Sequence, residues 1–325
     1  MRILVTGGAG WLGSALVKQL IAEKHVVTII DNLSRGNLNN LMLVIDKPNF
    51  NFSEHDLTLP LLKPSIISLD HFDVIFDLAA RVYGITKLYV DEPAFFRENT
   101  RILLSTLEEF RDKVDHYFQV SSSCIYNFEG CPLPHKEEYA TKIPKTGYDI
   151  SKRFGEEIGR VYAETYGFKY TVIRPFNVYG PNESGEASHV VTDFLQQIIA
   201  EKQYLTDKFW ILGTGEQTRS FTYVKDLVDA MVFLMNRGEK GVFNVGTGVE
   251  TRIIDLLKLM FEITGLNWNR YEIVNKPAIK GDVQKRCPDI TKITSLGWKP
   301  KYSLRAGLEE TWRTVLDEVK EELKK

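Results

Sequence analysis

The sequence predicts an α/β protein built on a Rossmann-like, doubly wound parallel sheet with a smaller C-terminal α/β unit. Three observations carry this. Short β-branched apolar runs alternate with longer helical patterns through the first half of the chain. Those runs have little polar alternation, as strands buried on both faces do. A glycine-rich turn follows the first run and opens the first helical segment.

Strands are expected over Arg2 to Thr6, Val26 to Asp31, Val74 to Leu78, His116 to Ser121 and Tyr170 to Arg174. Between them, Leu12, Ala15, Leu16 and Leu20, and later Ile102, Leu103, Thr106, Leu107 and Phe110, recur at helical spacing. After about Pro175 the rhythm loosens. Gly180 to Gly185 reads as a loop, Val190 to Lys202 as a helix, Phe209 to Leu212 as a strand and Asp226 to Asn236 as a helix. The tail from Leu308 to Lys325 reads as a helix with a solvated Glu and Lys face. The expected division is a first domain over 1–175, to which segments near 215–245 return, and a second over 176–325.

Composition narrows the function classes. The chain has 325 residues, 43% hydrophobic and 26% charged, with 41 Lys+Arg against 43 Asp+Glu for a net charge of −2. No field of one sign favours nucleic acid or an anionic membrane. No run approaches the ~18 apolar residues of a membrane span, and Ile3-Leu4-Val5 is cut too early by Gly7-Gly8 for a signal peptide. Cys124, Cys131 and Cys287 form an odd set without a CxxC pair, so neither a disulfide framework nor a metal site is expected. A cytoplasmic protein is the expectation.

The first strand runs into Thr6-Gly7-Gly8-Ala9-Gly10-Trp11-Leu12-Gly13-Ser14. Glycines at 7, 10 and 13 suit the tight turn, the approach of backbone to a pyrophosphate and the close helix–strand contact of a dinucleotide site. Asp31, at the end of the next strand, is placed to accept ribose hydroxyls and to repel a 2′-phosphate, which favours NAD over NADP. Arg35, four residues on, would suit the phosphate instead. Asp56-Leu57 stands where a chain could meet the adenine, or is an ordinary strand-end turn. Leu78-Ala79-Ala80 ends a strand with small residues against which a cofactor could lie.

Tyr148-Asp149-Ile150-Ser151-Lys152 puts a phenol and an ammonium on one helix face. A nearby lysine favours the phenolate, as would the positive nicotinamide of an oxidised cofactor, so Tyr148 is expected to act as a base near neutral pH. The spacing alone is cheap, because Tyr204 and Lys208 repeat it. Context separates the two pairs: upstream of Tyr148 a strand ends in Ser121-Ser122-Ser123-Cys124-Ile125-Tyr126, where hydroxyls point into the crevice that binds ligands in such sheets.

At this point the chain resembles the extended short-chain dehydrogenase/reductases, in the branch of NAD-dependent nucleotide-sugar epimerases and dehydratases. The resemblance rests on TGGAGWLGS, DNLSRG, DLAA, SSSCIY, YDISK, RPFNVYGP, GTGEQTRSFTYVKD, FNVGTG and GDVQKR. It implies Tyr148 as the base, Lys152 as its tuner and ribose ligand, and Ser122 as the hydroxyl bonded to the sugar, with Ser123 beside it. It implies cofactor contacts from Gly7, Gly10, Trp11, Leu12, Gly13, Asp31, Asn32, Ser34, Asp56, Leu57, Leu78, Ala79, Ala80 and Asn99. It implies nucleotide-sugar contacts from Arg81 and its neighbours Val82 and Tyr83, from Asn177, and from Arg219 and Arg286, whose planar forks suit phosphate. A homodimer joined through helices near Glu98 to Phe110 and Ser151 to Tyr166 is also implied.

Such enzymes oxidise a sugar at C4 and diverge at the 4-keto stage. Epimerisation at C4 of a UDP-, GDP- or dTDP-hexose is the simplest outcome. Elimination by the usual carboxylates is disfavoured, since Ser123 and Cys124 stand where those acids would be. SSSCIY is also similar to the motif of GDP-mannose 3,5-epimerases, where the cysteine is an acid/base group. Cys124 is then either such a group or a small buried residue, and His189 either its partner across the sugar or a cap or surface histidine. A 4,6-dehydratase, a 4-dehydrogenase and a non-catalytic NAD or nucleotide-sugar sensor are the remaining readings.

Overall fold

A computed structural model describes residues 1–59, 71–82, 91–183, 189–204, 207–278 and 282–322. In chain order the first half holds β1 (Arg2–Thr6), α1 (Trp11–Ala22), β2 (Val26–Asp31), β3 (Phe50–Glu54), β4 (Phe72–Asp77), α2 (Glu92–Phe110), β5 (Val114–Val120), α3 (Gly147–Tyr166) and β6 (Lys169–Pro175). The second half holds β7 (Val178–Tyr179), α4 (Val190–Tyr204), β8 (Lys208–Leu212), β9 (Thr218–Arg219), β10 (Thr222–Tyr223), α5 (Val224–Arg237), β11 (Gly241–Val245), β12 (Thr251–Arg252), α6 (Ile253–Thr264), β13 (Glu272–Lys276), β14 (Lys285–Arg286), α7 (Thr291–Ser295) and α8 (Leu304–Glu322).

Seven parallel strands form the main sheet in the order β11-β6-β5-β4-β1-β2-β3. The order reverses at β1, so β1 and β4 flank the crevice where a doubly wound sheet takes its ligand. The central strands are apolar because both faces are covered: Ile3, Leu4, Val5, Ile29, Ile75, Phe76 and Phe118 are fully buried. β11 lies 66 residues beyond the end of β6 and pairs with it from Gly241↔Thr171 to Val245↔Pro175. The N-terminal residues thus share their sheet with a late segment.

Local chemistry sets the helices that carry the site. Thr146 caps α3, its Oγ1 accepting from Asp149 N at 3.2 Å, and Gly167 ends the helix in the left-handed region. Asp91 caps α2 in the same way through Ala94 N. The two helices approach so closely that a Cβ on Gly147 would lie 2.2 Å from the Glu92 carbonyl oxygen, so only glycine fits there. Behind the Ser123–Tyr126 turn, Arg174 forks onto Glu156 at 2.6 and 2.9 Å, donates to Tyr126 Oη at 2.7 Å, and Tyr126 donates to Asn244 at 2.8 Å. This buried network fixes the serine-rich turn from beneath.

Sequence periodicity missed β3, β11 and α6, and it started the tail helix at Leu308 where α8 begins at Leu304. β3 reads FNFSE, and its burial pattern matches an edge strand, which leaves a weak signal. Ser184, Gly185, Ser188 and the final three residues of the expected tail lie outside the described residues.

Candidate functional site

A cavity of about 1300 Å³ opens along the C-terminal edge of the sheet and continues between α4, β8, β9 and β14. At its β1 end the glycine turn folds tightly: Gly10 N donates to Gly7 O at 3.1 Å, and a Cβ on Gly13 would lie 2.1 Å from that same oxygen. No side chain caps α1 and no acid sits in its first turn. Its first N–H groups and positive dipole end therefore remain available to an anion. Gly7, Gly10, Trp11, Leu12 and Gly13 all line the cavity here.

Asp31 accepts Ala9 N on one oxygen and Leu33 N on the other, both at 2.9 Å. Burial pushes its carboxyl up from the ordinary range, while the N–H groups of Leu33, Ala9 and Gly10 pull it down. Each oxygen keeps a lone pair for a hydroxyl donor. Asn32 and Ser34 line the cavity beside it, tied by a 2.7 Å bond from Ser34 Oγ to Asn32 Oδ1. Asp56 and Leu57 lie across from them, and Leu78, Ala79 and Ala80 form the floor. That floor is pinned by Thr6 Oγ1, which accepts Leu78 N and Ala79 N at 3.1 and 3.0 Å and donates to the buried Asp77 at 2.6 Å.

Asn99 is buried, its Oδ1 accepting Arg81 N at 2.7 Å and its Nδ2 donating to Arg81 O and Ser151 Oγ, both at 3.2 Å, so it clamps the chain at Arg81 to α3. Arg81 lines the cavity and pairs with Glu98 at 2.5 Å. Tyr83 and Gly281 lie outside the described residues.

Ser122, Tyr148 and Lys152 come together from two elements, the turn after β5 and the start of α3. Ser122 follows β5 and caps the short helix Ser123–Tyr126, its Oγ accepting Cys124 N at 3.1 Å, and its hydroxyl is near enough to the Tyr148 phenol to favour the phenolate. Ser123 is the more buried of the two serines. Lys152, one turn after Tyr148, donates Nζ to Val120 O at 2.9 Å and sits 6.0 Å from the phenol ring centroid. Burial lowers its ammonium, opposed by Asp77 and Glu156.

Burial pushes the Tyr148 phenol well up, Cys124 adds to the rise, and Ser122 lowers it. Lys152 Nζ is bonded to the Val120 carbonyl, and desolvation outweighs its charge.

Farther in, Arg286 Nη1 reaches Cys124 Sγ at 3.6 Å. Burial pushes the Cys124 thiol up and Arg286 pulls it back. Asp149, 1% exposed, is a neighbour that motif reading passed over although it stands inside YDISK. It accepts Asn127 Nδ2 at 3.1 Å, and burial raises its carboxyl against the pull of Arg286. Arg219 pairs with Asp282 at 2.7 Å, and burial with Arg286 next to it lowers its guanidinium to about 10. Arg219 and Arg286 both line this part of the cavity, and two planar forks side by side can hold an anion.

Asn177 lines the cavity with φ +38° and donates Nδ2 to Ser220 O at 3.1 Å. His189 also lines it, and its Nδ1 is bonded to Glu183, whose other oxygen accepts the Thr192 hydroxyl. Withdrawal from solvent opposes the imidazolium, and Glu183 outweighs this and raises His189. At the far end β8 presents an open edge. Gln197 spans Trp210, its Oε1 accepting Trp210 N at 2.6 Å and its Nε2 donating to Trp210 O at 3.2 Å. Trp210 is 39% exposed with Lys276 Nζ 4.4 Å from its ring. Gln197 and Glu183 lie outside every motif, and only the fold of α4 against β8 and the preceding loop shows what they hold.

Among the described residues no cluster of His, Cys, Asp or Glu could hold a metal, and no helix is long and apolar enough to cross a membrane.

With this geometry in place, the comparisons define the class. Residues 3–246 match the model of the NAD dependent epimerase/dehydratase family. UDP-glucuronic acid decarboxylase 1 of Arabidopsis thaliana is 34% identical over 315 residues, 95% of this chain and 68% of the relative. A putative UDP-glucose 4-epimerase of Methanocaldococcus jannaschii is 32% identical over 94% of this chain and 96% of its own. The crystal structure of a Thermotoga maritima UDP-glucose 4-epimerase with UDP-glucose superposes with TM-score 0.87 at 35% identity, covering 98% of this chain and 100% of that one. The chain belongs to the NAD-dependent epimerase/dehydratase family, within the extended short-chain dehydrogenase/reductases that act on nucleotide sugars. Its cofactor is NAD, and the uncapped α1 terminus with the Asp31 carboxylate fits that dinucleotide.

Proposed function

We propose that the protein is a nucleotide-sugar epimerase that inverts C4 of an NDP-hexose through a 4-keto intermediate. The observation that carries this is the Ser122–Tyr148–Lys152 cluster with serine and cysteine, and no carboxylate, at positions 123 and 124. Tyr148 takes the proton of the C4 hydroxyl, and Ser122, beside the phenol, holds that hydroxyl. Bound NAD supplies the hydride acceptor and donor, and its positive ring is the charge that offsets the burial of Tyr148. Lys152, anchored on Val120, orients the cofactor ribose.

Arg219 and Arg286 are assigned to the diphosphate, with Asn177 alongside. The Trp210 backbone supports recognition of the base: a uracil imide offers the same adjacent acceptor and donor as the Gln197 amide bonded there and would replace it. The UDP ligands named for the relatives support a UDP-sugar. Residues 1–175 together with β11 are assigned to the cofactor half and the remainder to the nucleotide-sugar half. Exposed Phe96, Phe154, Val161 and Tyr166 on α2 and α3 support a homodimer, and three free cysteines fit the cytoplasm.

A second reading is decarboxylation of a UDP-uronic acid, favoured by the decarboxylases among the relatives. Both share oxidation at C4. Incubation with UDP-glucose and, separately, UDP-glucuronic acid distinguishes them: inverted C4 supports epimerisation, and carbon dioxide with a pentose product replaces it.

A further inference from the structure

Trp11 has a partner that its place in the glycine turn does not explain. It is the first residue of α1, among the N–H groups assigned to the pyrophosphate, yet its indole Nε1 donates to Pro181 O at 2.7 Å across 170 residues. Pro181 leads through Asn182, at φ +65°, to Glu183. The Glu183 side chain is 5% exposed and holds two groups at the start of α4, His189 Nδ1 and Thr192 Oγ1. The first turn of α4 is set there too, with Asp193 N donating to His189 O at 3.0 Å. His189, Val190, Val191 and Asp193 line the part of the cavity next to Arg286.

We propose that Trp11 is a positioning residue that ties the cofactor turn to the substrate wall, so that the order of the α4 start depends on the Trp11–Pro181 bond. The inference uses the nucleotide-sugar reading only to say which ligand the wall meets. An indole is suited to this: its ring packs in the turn while its N–H, a donor with no acceptor role, reaches outward. A phenylalanine would pack similarly and leave the Pro181 carbonyl without its donor. Because Trp11 and Glu183 act on one wall, their effects are coupled and not additive.

The test compares NAD-loaded wild type, Trp11→Phe, Glu183→Gln and the double variant. The first measurement needs no substrate: backbone hydrogen exchange at 190–193, with α8 as the internal control. Trp11→Phe should speed exchange at the α4 start about fivefold or more and leave α8 unchanged, as the loss of one local bond implies. Unchanged exchange at 190–193, or a uniform rise that includes α8, overturns the proposal. The second is calorimetric titration with UDP, GDP and dTDP. Each single variant should weaken the nucleotide diphosphate that wild type binds by about 5–10-fold, with bound NAD unchanged, and the double variant should be no weaker than the poorer single one. Additive losses contradict the tie. If wild type binds none of the three, the nucleotide-sugar reading fails, and the exchange result still decides the role of Trp11.

Discussion

Arg219 and Arg286 stand opposite each other in register across the parallel β9–β14 pair, so two guanidinium groups share one buried wall. Like charges are held together there only with help: Asp282 takes Arg219, and Cys124 with Asp149 flanks Arg286. An anionic ligand relieves the repulsion. Arg286→Gln should therefore raise KM for the nucleotide sugar by about 10–100-fold, the worth of one or two hydrogen bonds to a charged group. Steady-state kinetics read it, and a change in kcat alone would contradict the assignment.

Tyr148→Phe removes the proton acceptor and leaves the ring against Phe95. It should lower kcat by about 10²–10⁴-fold, as expected for loss of a general base, with NAD content unchanged. Ser122→Ala should act in the same direction. Both are read by product formation under saturating substrate.

Cys124→Ala separates the two epimerase readings. A C4 epimerase keeps most of its rate without the thiol. Deuterium entering C3 or C5 from solvent in the wild type, and lost in the variant, would instead make Cys124 an acid/base group.

Glu156→Ala should cost about 3–5 kcal/mol, because Arg174 would be left as an uncompensated buried charge. Denaturant unfolding measures it. Replacing Glu156 and Arg174 together by apolar residues should recover much of the loss.

Acid should weaken the fold through two buried histidines. Burial lowers His116 and His135 to about 4. The unfolded chain, at ~6.5, binds protons that the folded one refuses between those values. Stability is full above about pH 6.5 and falls as pH drops toward 4. Thermal melts across that window check it, and replacing His116 with an isosteric neutral residue should flatten the slope.

The glycine turn, Asp31, the serine turn and the Tyr148–Lys152 pair were legible because short motifs carry their own geometry. Residues whose work lies in side-chain contacts outside any motif were not. Asn99 reads like a ligand contact and is bonded to Arg81 and Ser151. Asp149, Glu183 and Gln197 show their roles only once folding sets Cys124, His189 and Trp210 beside them. The lift of the Tyr148 phenol was likewise hidden, since burial is a property of the fold and spacing fixes only which groups are neighbours.

Proton NMR of UDP-glucose incubated with the NAD-loaded protein in deuterated water decides whether C4 is inverted. Inversion through a 4-keto sugar gives UDP-galactose with no deuterium at C3, C4 or C5, because the C4 hydrogen leaves and returns as hydride within the site. A 6-deoxy-4-keto product, deuterium at C3 or C5, or unchanged UDP-glucose in protein shown to bind it would rule C4 epimerisation out.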